Sequence, residues 1–216
     1  AGGSWTLGTQ VGANTLAATV GTLAPVTITA TAVAGAPASM VFSTAPGSSA
    51  LNGAALAQQP IIQLKDQFGN NATQAGVQVT AAIVAGGGTL GGTTTVASNA
   101  SGVITYTTLA ITGTVGARTL SFTATGLPAL ASGSIQVNAG AAASVTANST
   151  TTLTGAAGTV IAPAPSVLVR DASSNPVAGA TVTVRRRRSG DTLQLWMSVD
   201  DQVAAAATVT GSGEHA

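Results

Sequence analysis

The chain has 216 residues, with seven Lys or Arg against six Asp or Glu, a formal net charge of +1 and no Cys. This composition supplies no electrostatic field that would attract nucleic acid or an anionic membrane, and it excludes disulfides and Cys-ligated zinc. Charge-driven disorder is excluded because 45% of the residues are hydrophobic. Thr, Ser and Gly interrupt every apolar run before it reaches about 18 residues, so we expect no membrane insertion.

Sequence landmarks recur along the chain at an almost constant offset. VGANTL at residues 11–16 returns as VGARTL at 115–120, and PIIQLKDQFGN from Pro60 returns as PSVLVRDASSN from Pro165. GAPASM with GAAASV, and AGVQV with AGATV, keep the same order and nearly the same offset. A period of about 100 residues is that of one small sandwich domain.

The order of the landmarks sets the expected domain boundaries. VGANTL belongs to the later part of a repeat, so we interpret residues 1–35 as the C-terminal half of one repeat. We interpret residues 36–139 as a complete repeat and residues 140–184 as the N-terminal half of another. Residues 185–216 match no part of the repeat. We therefore expect a fragment of a longer array. No basic or apolar region of a signal peptide occurs in AGGSWTLGTQ, and we expect none there.

The complete repeat predicts short strands. Apolar residues alternate with polar or small ones over residues 62–64, 77–83, 120–124 and 135–137, the period of two that places one face of a strand in a core. Turn sequences separate these runs: DQFGNN, GGG, NASG, GTVG and GLP. About seven strands with regular turns indicate an all-β sandwich, and no helical periodicity competes.

Two segments, 60–83 and 165–184, resemble the bacterial immunoglobulin-like repeats of the invasin and intimin group of adhesins. Their shared pattern is an apolar strand, Asp, a turn with Gly-Asn or Asn-Pro, then Ala-Gly and an alternating strand. The resemblance implies immunoglobulin-like β-sandwich repeats in tandem, one complete and two partial, at the bacterial cell surface or secreted. The chain departs from antibody domains, which carry a Cys pair and a core Trp, because it has no Cys and Trp5 lies in the partial first repeat.

Asp66 and Asp171 occupy the same position of the repeat, followed by Asn70 and Asn175. We interpret these four residues as structural turn residues, because an Asp side chain accepts backbone N–H bonds at the start of an Asx turn. The alternative is a catalytic or calcium-binding role. Calcium needs six to eight oxygen ligands, and each repeat has a single acid, so we predict no metal site and no cofactor.

An enzymatic function lacks its usual residues in this sequence. His215 is the only His, no G-x-S-x-G motif is present, and Gly86–Gly88 lacks the pattern of a phosphate-binding loop, so it reads as a flexible turn. We predict no catalytic residue and a non-catalytic spacer, a semi-rigid stalk supporting cell adhesion, whose partners are neighbouring repeats. The alternative is a module that binds glycan or a host-surface protein through its loops, for which Phe68 is the candidate contact.

The tail from 185 to 216 has a different composition. Eight of the charged residues lie there, four of them in Arg185–Arg188, where a Gly-rich loop would be due. Three interpretations are open: a reading frame shifted from Gly to Arg codons, a solvated and disordered segment, or a basic site for anionic polymers. We favour the first two, because four acids follow the four Arg and no aromatic residues are interleaved with them.

Overall fold

The computed structural model describes residues 4–156, 158–184 and 198–199, and these residues form an all-β chain without a helix. The interpretations of Arg185–Arg188 and His215 concern positions outside the described residues. No helix in the described part is long and apolar enough to cross a membrane. The strands are β1 (Gly12–Ala18), β2 (Val26–Ala32), β3 (Ser39–Thr44), β4 (Ser49–Leu51), β5 (Ile61–Lys65), β6 (Gln78–Ala85), β7 (Thr89–Gly91), β8 (Thr95–Ala97), β9 (Val103–Thr105), β10 (Ala110–Thr112), β11 (Gly116–Thr123), β12 (Leu130–Ala131), β13 (Ile135–Asn138), β14 (Ala142–Ala147), β15 (Ser166–Asp171) and β16 (Ser198–Val199).

Strands β3 to β13 form two main sheets and a ribbon. One sheet has the order β3-β5-β9, and the other has the order β4-β13-β11-β6-β8 with β12 beside β11. Strands β7 and β10 pair separately as an antiparallel ribbon. Strand β4 runs parallel to β13, whereas the other pairs within these sheets are antiparallel.

The two sheets share one apolar core, because alternate residues of their strands point toward each other. The Phe122 ring on β11 lies 5.4 Å from the rings of Phe42 and Tyr106, in edge-to-face geometry. The Tyr106 hydroxyl donates a hydrogen bond of 2.7 Å to the Val79 carbonyl oxygen, and burial raises the pKa of Tyr106 to about 12. The fully buried large side chains are Tyr106, Phe122, Ile62, Leu64, Ile104, Leu109, Ile111, Leu120, Ile135, Val79 and Val137.

The strand predictions agree with these sheets, with two differences. Residues 36–139 contain eleven strand segments rather than about seven, because they include short segments such as β12 beside β11 and the separate β7–β10 ribbon. Gln63, expected on the polar face of β5, is buried. Its side-chain amide donates to the carbonyl oxygens of Ser101 at 3.1 Å and Gly102 at 3.3 Å, so the NASG turn covers it.

The flanking hairpins repeat the strand register of the central sheets. Gly12 pairs with Ala32 in β1–β2, and their sequence equivalents Gly116 and Val137 pair in β11–β13. Ser39 pairs with Lys65 in β3–β5, and the equivalent residues pair in β14–β15. The flanking segments thus form the same hairpins as the corresponding parts of residues 36–139.

The flanking hairpins differ from the central ones in how deeply their apolar side chains are buried. Leu16 on β1 is 45% exposed, whereas its equivalent Leu120 on β11 is completely buried. The two residues of β16 pair with Ser166 and Val167 in parallel, at the positions where β5 pairs with β9 in antiparallel fashion. The apolar core therefore lies within residues 36–139.

We expect residues 36–139 to fold alone, and Phe122→Ala to lower the free energy of unfolding of that domain by about 3–5 kcal/mol. The reason is that the substitution removes the ring on which Phe42 and Tyr106 pack. Val84→Ala on β6 is the matched control, because Val84 is 61% exposed, and it should change stability by less than about 0.5 kcal/mol. Denaturant unfolding followed by circular dichroism measures both; equal losses would contradict the assigned core.

Candidate functional site

The first Asp turn is closed by the carboxylate of Asp66. Its Oδ1 accepts hydrogen bonds of 2.9 Å from the backbone N–H groups of Phe68 and Asn70. The backbone closes the same loop, since Asp66 N–H donates to the Asn70 carbonyl oxygen at 2.9 Å and Gly69 N–H donates to the Asp66 carbonyl oxygen at 3.1 Å. Asp66 thus starts an Asx turn immediately after β5.

The second Asp turn, after β15, reproduces the first. Asp171 Oδ1 accepts bonds of 2.9 Å from the N–H groups of Ser173 and Asn175, and Asp171 N–H donates to the Asn175 carbonyl oxygen at 2.9 Å. Ser174 has φ of 64°, at the position where the first turn has Gly69 with φ of 84°. The turn geometry therefore requires a left-handed residue even where the sequence offers no Gly.

The first turn also binds residues that precede residue 36. Asp66 Oδ2 accepts the N–H of Gly35 at 3.0 Å. The Asn70 side chain donates to the Thr9 carbonyl oxygen at 2.8 Å and accepts the N–H of Val11 at 3.3 Å. We call this set of contacts the first junction, because it connects residues 1–35 to the Asp turn of the segment that follows.

The second junction has the same contacts around Asp171 and Asn175. Asp171 Oδ2 accepts the N–H of Gly140 at 2.9 Å. The Asn175 side chain donates to the Gly113 carbonyl oxygen at 2.9 Å and accepts the N–H of Val115 at 2.9 Å. Each partner is the sequence equivalent of one in the first junction, at an offset of 104 or 105 residues.

Asn52 adds two bonds to the second junction. Its side-chain amide donates to Asp171 Oδ2 at 2.8 Å, and its Oδ1 accepts the N–H of Gly113 at 2.8 Å. Asn52 therefore links the Asp turn directly to the loop that binds Asn175. Gly140 passes so close to Asn52 that a Cβ there would collide with the Asn52 carbonyl oxygen.

Both carboxylates are buried yet held in the ionised form. Asp66 is 3% exposed and Asp171 is 4% exposed. The side-chain amide of Asn70, followed by the N–H of Gly35, lowers the pKa of Asp66 to about 2 against the opposing effect of burial. Burial raises the pKa of Asp171, but hydrogen bonds from Asn175, Gly140 and Asn52 outweigh it and hold that pKa well below its usual range.

The chemistry of the two junctions is hydrogen bonding to a carboxylate from neutral donors. Asp66 and Asp171 are the two acids of the first 184 residues, and they lie 105 positions apart. Within the described ranges, no group of three His, Cys, Asp or Glu side chains could hold a metal ion. What the geometry provides is a connection between consecutive segments, made by one Asp and one Asn each time.

The outer face of each turn carries a cation and a variable residue. Lys65 donates to the Asn71 side-chain oxygen at 2.6 Å, and Arg170 donates to the Ser174 carbonyl oxygen at 2.5 Å. Phe68 is 51% exposed and has Ser173 as its equivalent in the second turn. Phe68, the candidate ligand contact, is thus exposed to solvent in the first turn. The second turn has a Ser at this position and offers no aromatic ring there.

The structure places Asp66, Asn70, Asp171 and Asn175 in the two Asp turns, and their contacts across the joins were not among the sequence-based expectations. The acids of the first 184 residues occur only at this position, and a Gly stands 31 residues before each of them. Any two positions of a repeated sequence recur at the same spacing, so this regularity does not distinguish a contact from a local turn. Asn52 likewise carries no sequence signal of its contacts.

No protein-family model matches the chain, and no curated protein matches it. A β-glycosidase from Bacteroides vulgatus is 18% identical over 51% of this chain and 15% of its own, with a TM-score of 0.40. A glycosyl hydrolase family 2 member from Bacteroides cellulosilyticus is 17% identical over the same shares, with a TM-score of 0.39. Domains 4 and 5 of the S-layer protein SbsC are 19% identical over 61% of this chain and 59% of their own, with a TM-score of 0.31. These similarities identify neither a family nor an activity.

We expect the first junction to weaken as the pH falls from about 3.8 to about 2. Above pH 3.8 the Asp66 carboxyl is ionised both when folded and when unfolded, so its contribution is complete; it is lost as the pH falls through the lowered folded pKa of about 2. The Gly35 amide proton shift should titrate with a midpoint near pH 2, and Asn70→Ala should move that midpoint toward 3.8. A midpoint near 3.8 in the unaltered chain would contradict the buried, hydrogen-bonded carboxylate.

Proposed function

We propose that the chain is a segment of tandem immunoglobulin-like β-sandwich repeats, one complete and two partial, which acts as a non-catalytic, semi-rigid spacer in a bacterial cell-surface protein of the adhesin type. The proposal draws on the sequence resemblance for the family and for the extracellular location. It draws on the junctions for the mechanical role. Its nearest partners are the neighbouring repeats of the same chain.

The observation that carries the proposal is that both junctions use the same contacts. In each, an Asp carboxylate bonds the N–H of the Gly at the join, and an Asn side chain bonds a loop of the preceding segment. A flexible linker would leave successive segments without fixed contacts. Contacts repeated at a spacing of 105 residues instead favour a constant orientation from one repeat to the next.

The junction resists bending because two side chains of the second segment bond several groups of the first. At the second junction, Asn175 bonds Gly113 and Val115, and Asp171 accepts the side-chain amide of Asn52. Hydrogen bonds to a charged group contribute about 1.5–3 kcal/mol each and neutral ones about 0.5–1.5 kcal/mol. Changing the angle between segments would break several bonds at once and expose a desolvated carboxylate, so a small number of residues is sufficient to stiffen the join.

Ligand binding through the loops is the alternative function, and the exposed ring of Phe68 favours it. A half-exposed aromatic residue is a common contact for a sugar ring or for a protein partner. The second turn has Ser173 in its place, so such a contact would belong to one repeat and not to the array. The spacer role accounts for features that both repeats share, and we therefore favour it.

We predict that Asn175→Ala broadens the distribution of distances between the complete repeat and residues 140–184. The substitution removes the bonds to Gly113 and Val115. The chain has no Cys, so spin labels on Val84→Cys and Val145→Cys, both at exposed strand positions, attach uniquely. Pulsed electron spin resonance should give one narrow distance peak in the parent chain and a distribution at least about twice as wide in the variant, because the loss of two hydrogen bonds permits alternative orientations.

Asn99→Ala is the matched control for this measurement. The Asn99 side chain accepts the N–H groups of Ser101 at 2.9 Å and Val103 at 3.0 Å, so it makes the same kind of turn without reaching another segment. It should leave the distance distribution narrow. A broad distribution in the parent chain, or no difference between Asn175→Ala and Asn99→Ala, would contradict a stiffening role for the junction.

A further inference from the structure

Arg118 on β11 is a buried cation, and among the residues that the structure describes it has no carboxylate partner. It is 4% exposed. Its guanidinium donates to the Ala117 carbonyl oxygen at 2.9 Å and to the Thr114 carbonyl oxygen at 2.6 Å, with a longer contact of 3.3 Å to Thr114 Oγ1. Its Nε–H is buried and has no partner within the described ranges. Each of the hydrogen bonds named here goes to a neutral oxygen.

Glycines make room for this side chain. A Cβ on Gly86 would collide with the Ala117 carbonyl oxygen and lie 2.7 Å from Arg118 Cδ, and a Cβ on Gly88 would lie 2.7 Å from the Thr112 carbonyl oxygen. Gly86 and Gly88 also have φ of 90° and 91°, which other residues rarely adopt. The run Gly86–Gly88, interpreted from sequence as a flexible turn, covers the guanidinium at close range.

Such an arrangement is costly for the domain itself, because an unpaired charge is removed from water and one donor stays unsatisfied. The carbonyl oxygen that Arg118 bonds most closely, that of Thr114, lies between Gly113 and Val115 in sequence. Both of those neighbours bond the Asn175 side chain. Arg118 thus holds, from inside the complete repeat, the loop that receives the following segment.

The first junction has a smaller side chain at the equivalent position. Asn14 aligns with Arg118 in VGANTL and VGARTL. Its Oδ1 accepts the N–H of Gly8 at 2.9 Å, and its side-chain amide donates to the Gly12 carbonyl oxygen at 3.2 Å. Gly8 and Gly12 flank Thr9 and Val11, which bond Asn70. Two different residue types therefore support the same loop in two successive segments.

We propose that Arg118 and Asn14 are positioning residues, which fix receptor loops 113–115 and 9–11 so that the Asn of the next repeat binds at a set angle. This inference rests on the proposed spacer function and names the residue position that controls its stiffness. The residue at this position belongs to one repeat, while the bond it controls joins that repeat to the next. Different residues at this single position would then give successive junctions of an array different stiffness.

The test uses amide hydrogen exchange in the full chain carrying Arg118→Met, which keeps a long apolar stem and removes every donor. The Val115 amide, bonded to Asn175, reports the junction, and the Leu64 amide, bonded to Gly102, reports the core. We expect Val115 to exchange about tenfold faster and Leu64 to keep its rate, because a receptor loop without its support loses about one hydrogen bond. Unchanged exchange at Val115, or equal acceleration at both amides, would overturn the inference.

Asn14→Ala tests the same inference at the first junction. Because Asn14 lies outside residues 36–139, this variant leaves the core unchanged and remains informative if Arg118→Met fails to fold. The Val11 amide, bonded to Asn70, should exchange about tenfold faster, with Leu64 again unchanged. An unchanged Val11 amide would overturn the inference.

Asn175→Ala distinguishes failure of this inference from failure of the proposed function. If that variant accelerates Val115 and Arg118→Met does not, the junction exists and only the positioning role is wrong. If Asn175→Ala has no effect on Val115, the junction itself is absent in solution. Arg118→Met should add nothing to Asn175→Ala at Val115, because both act on the same bond.

Discussion

Each of the two Asp carboxylates bonds in two directions, and the arrangement of the chain depends on this division. One oxygen of Asp66 closes the turn after β5, and the other bonds the join at Gly35. Asp171 does the same after β15 and at Gly140. Because the carboxylate is buried and ionised, losing either set of donors would leave a desolvated charge, so turn geometry and join geometry are coupled.

The core within residues 36–139 has few aromatic residues and contains no disulfide. Phe122, Phe42 and Tyr106 form one cluster, and the remaining volume is filled by aliphatic side chains. The same domain buries Arg118, and no carboxylate of the described residues pairs with it. Arg118 bonds the Thr114 carbonyl oxygen, and the loop that contains Thr114 is the one that binds the Asn175 side chain of the next segment.

The strands, the turns and the core were predictable from sequence because they follow local rules. Alternation at Val79 and Ala81 reports burial directly, and Asp before a Gly-Asn turn reports an Asx turn. The junctions were not predictable, because which oxygen of Asp66 bonds which N–H depends on how two segments meet. Burial of Gln63 was missed for a related reason, because a loop far away in sequence covers it. Arg118 is likewise covered by a distant loop, the run Gly86–Gly88.

Nitrogen-15 relaxation of the full chain tests the central claim most directly, because it reports whether consecutive segments tumble together. Amides of β14 and β15 should share the rotational diffusion tensor of the β-sheet amides in residues 36–139, as expected when Asp171 and Asn175 fix the join. Residual dipolar couplings should likewise fit one alignment tensor for both segments. Separate tensors, with faster tumbling of β14 and β15, would contradict a junction that holds successive repeats at a set angle.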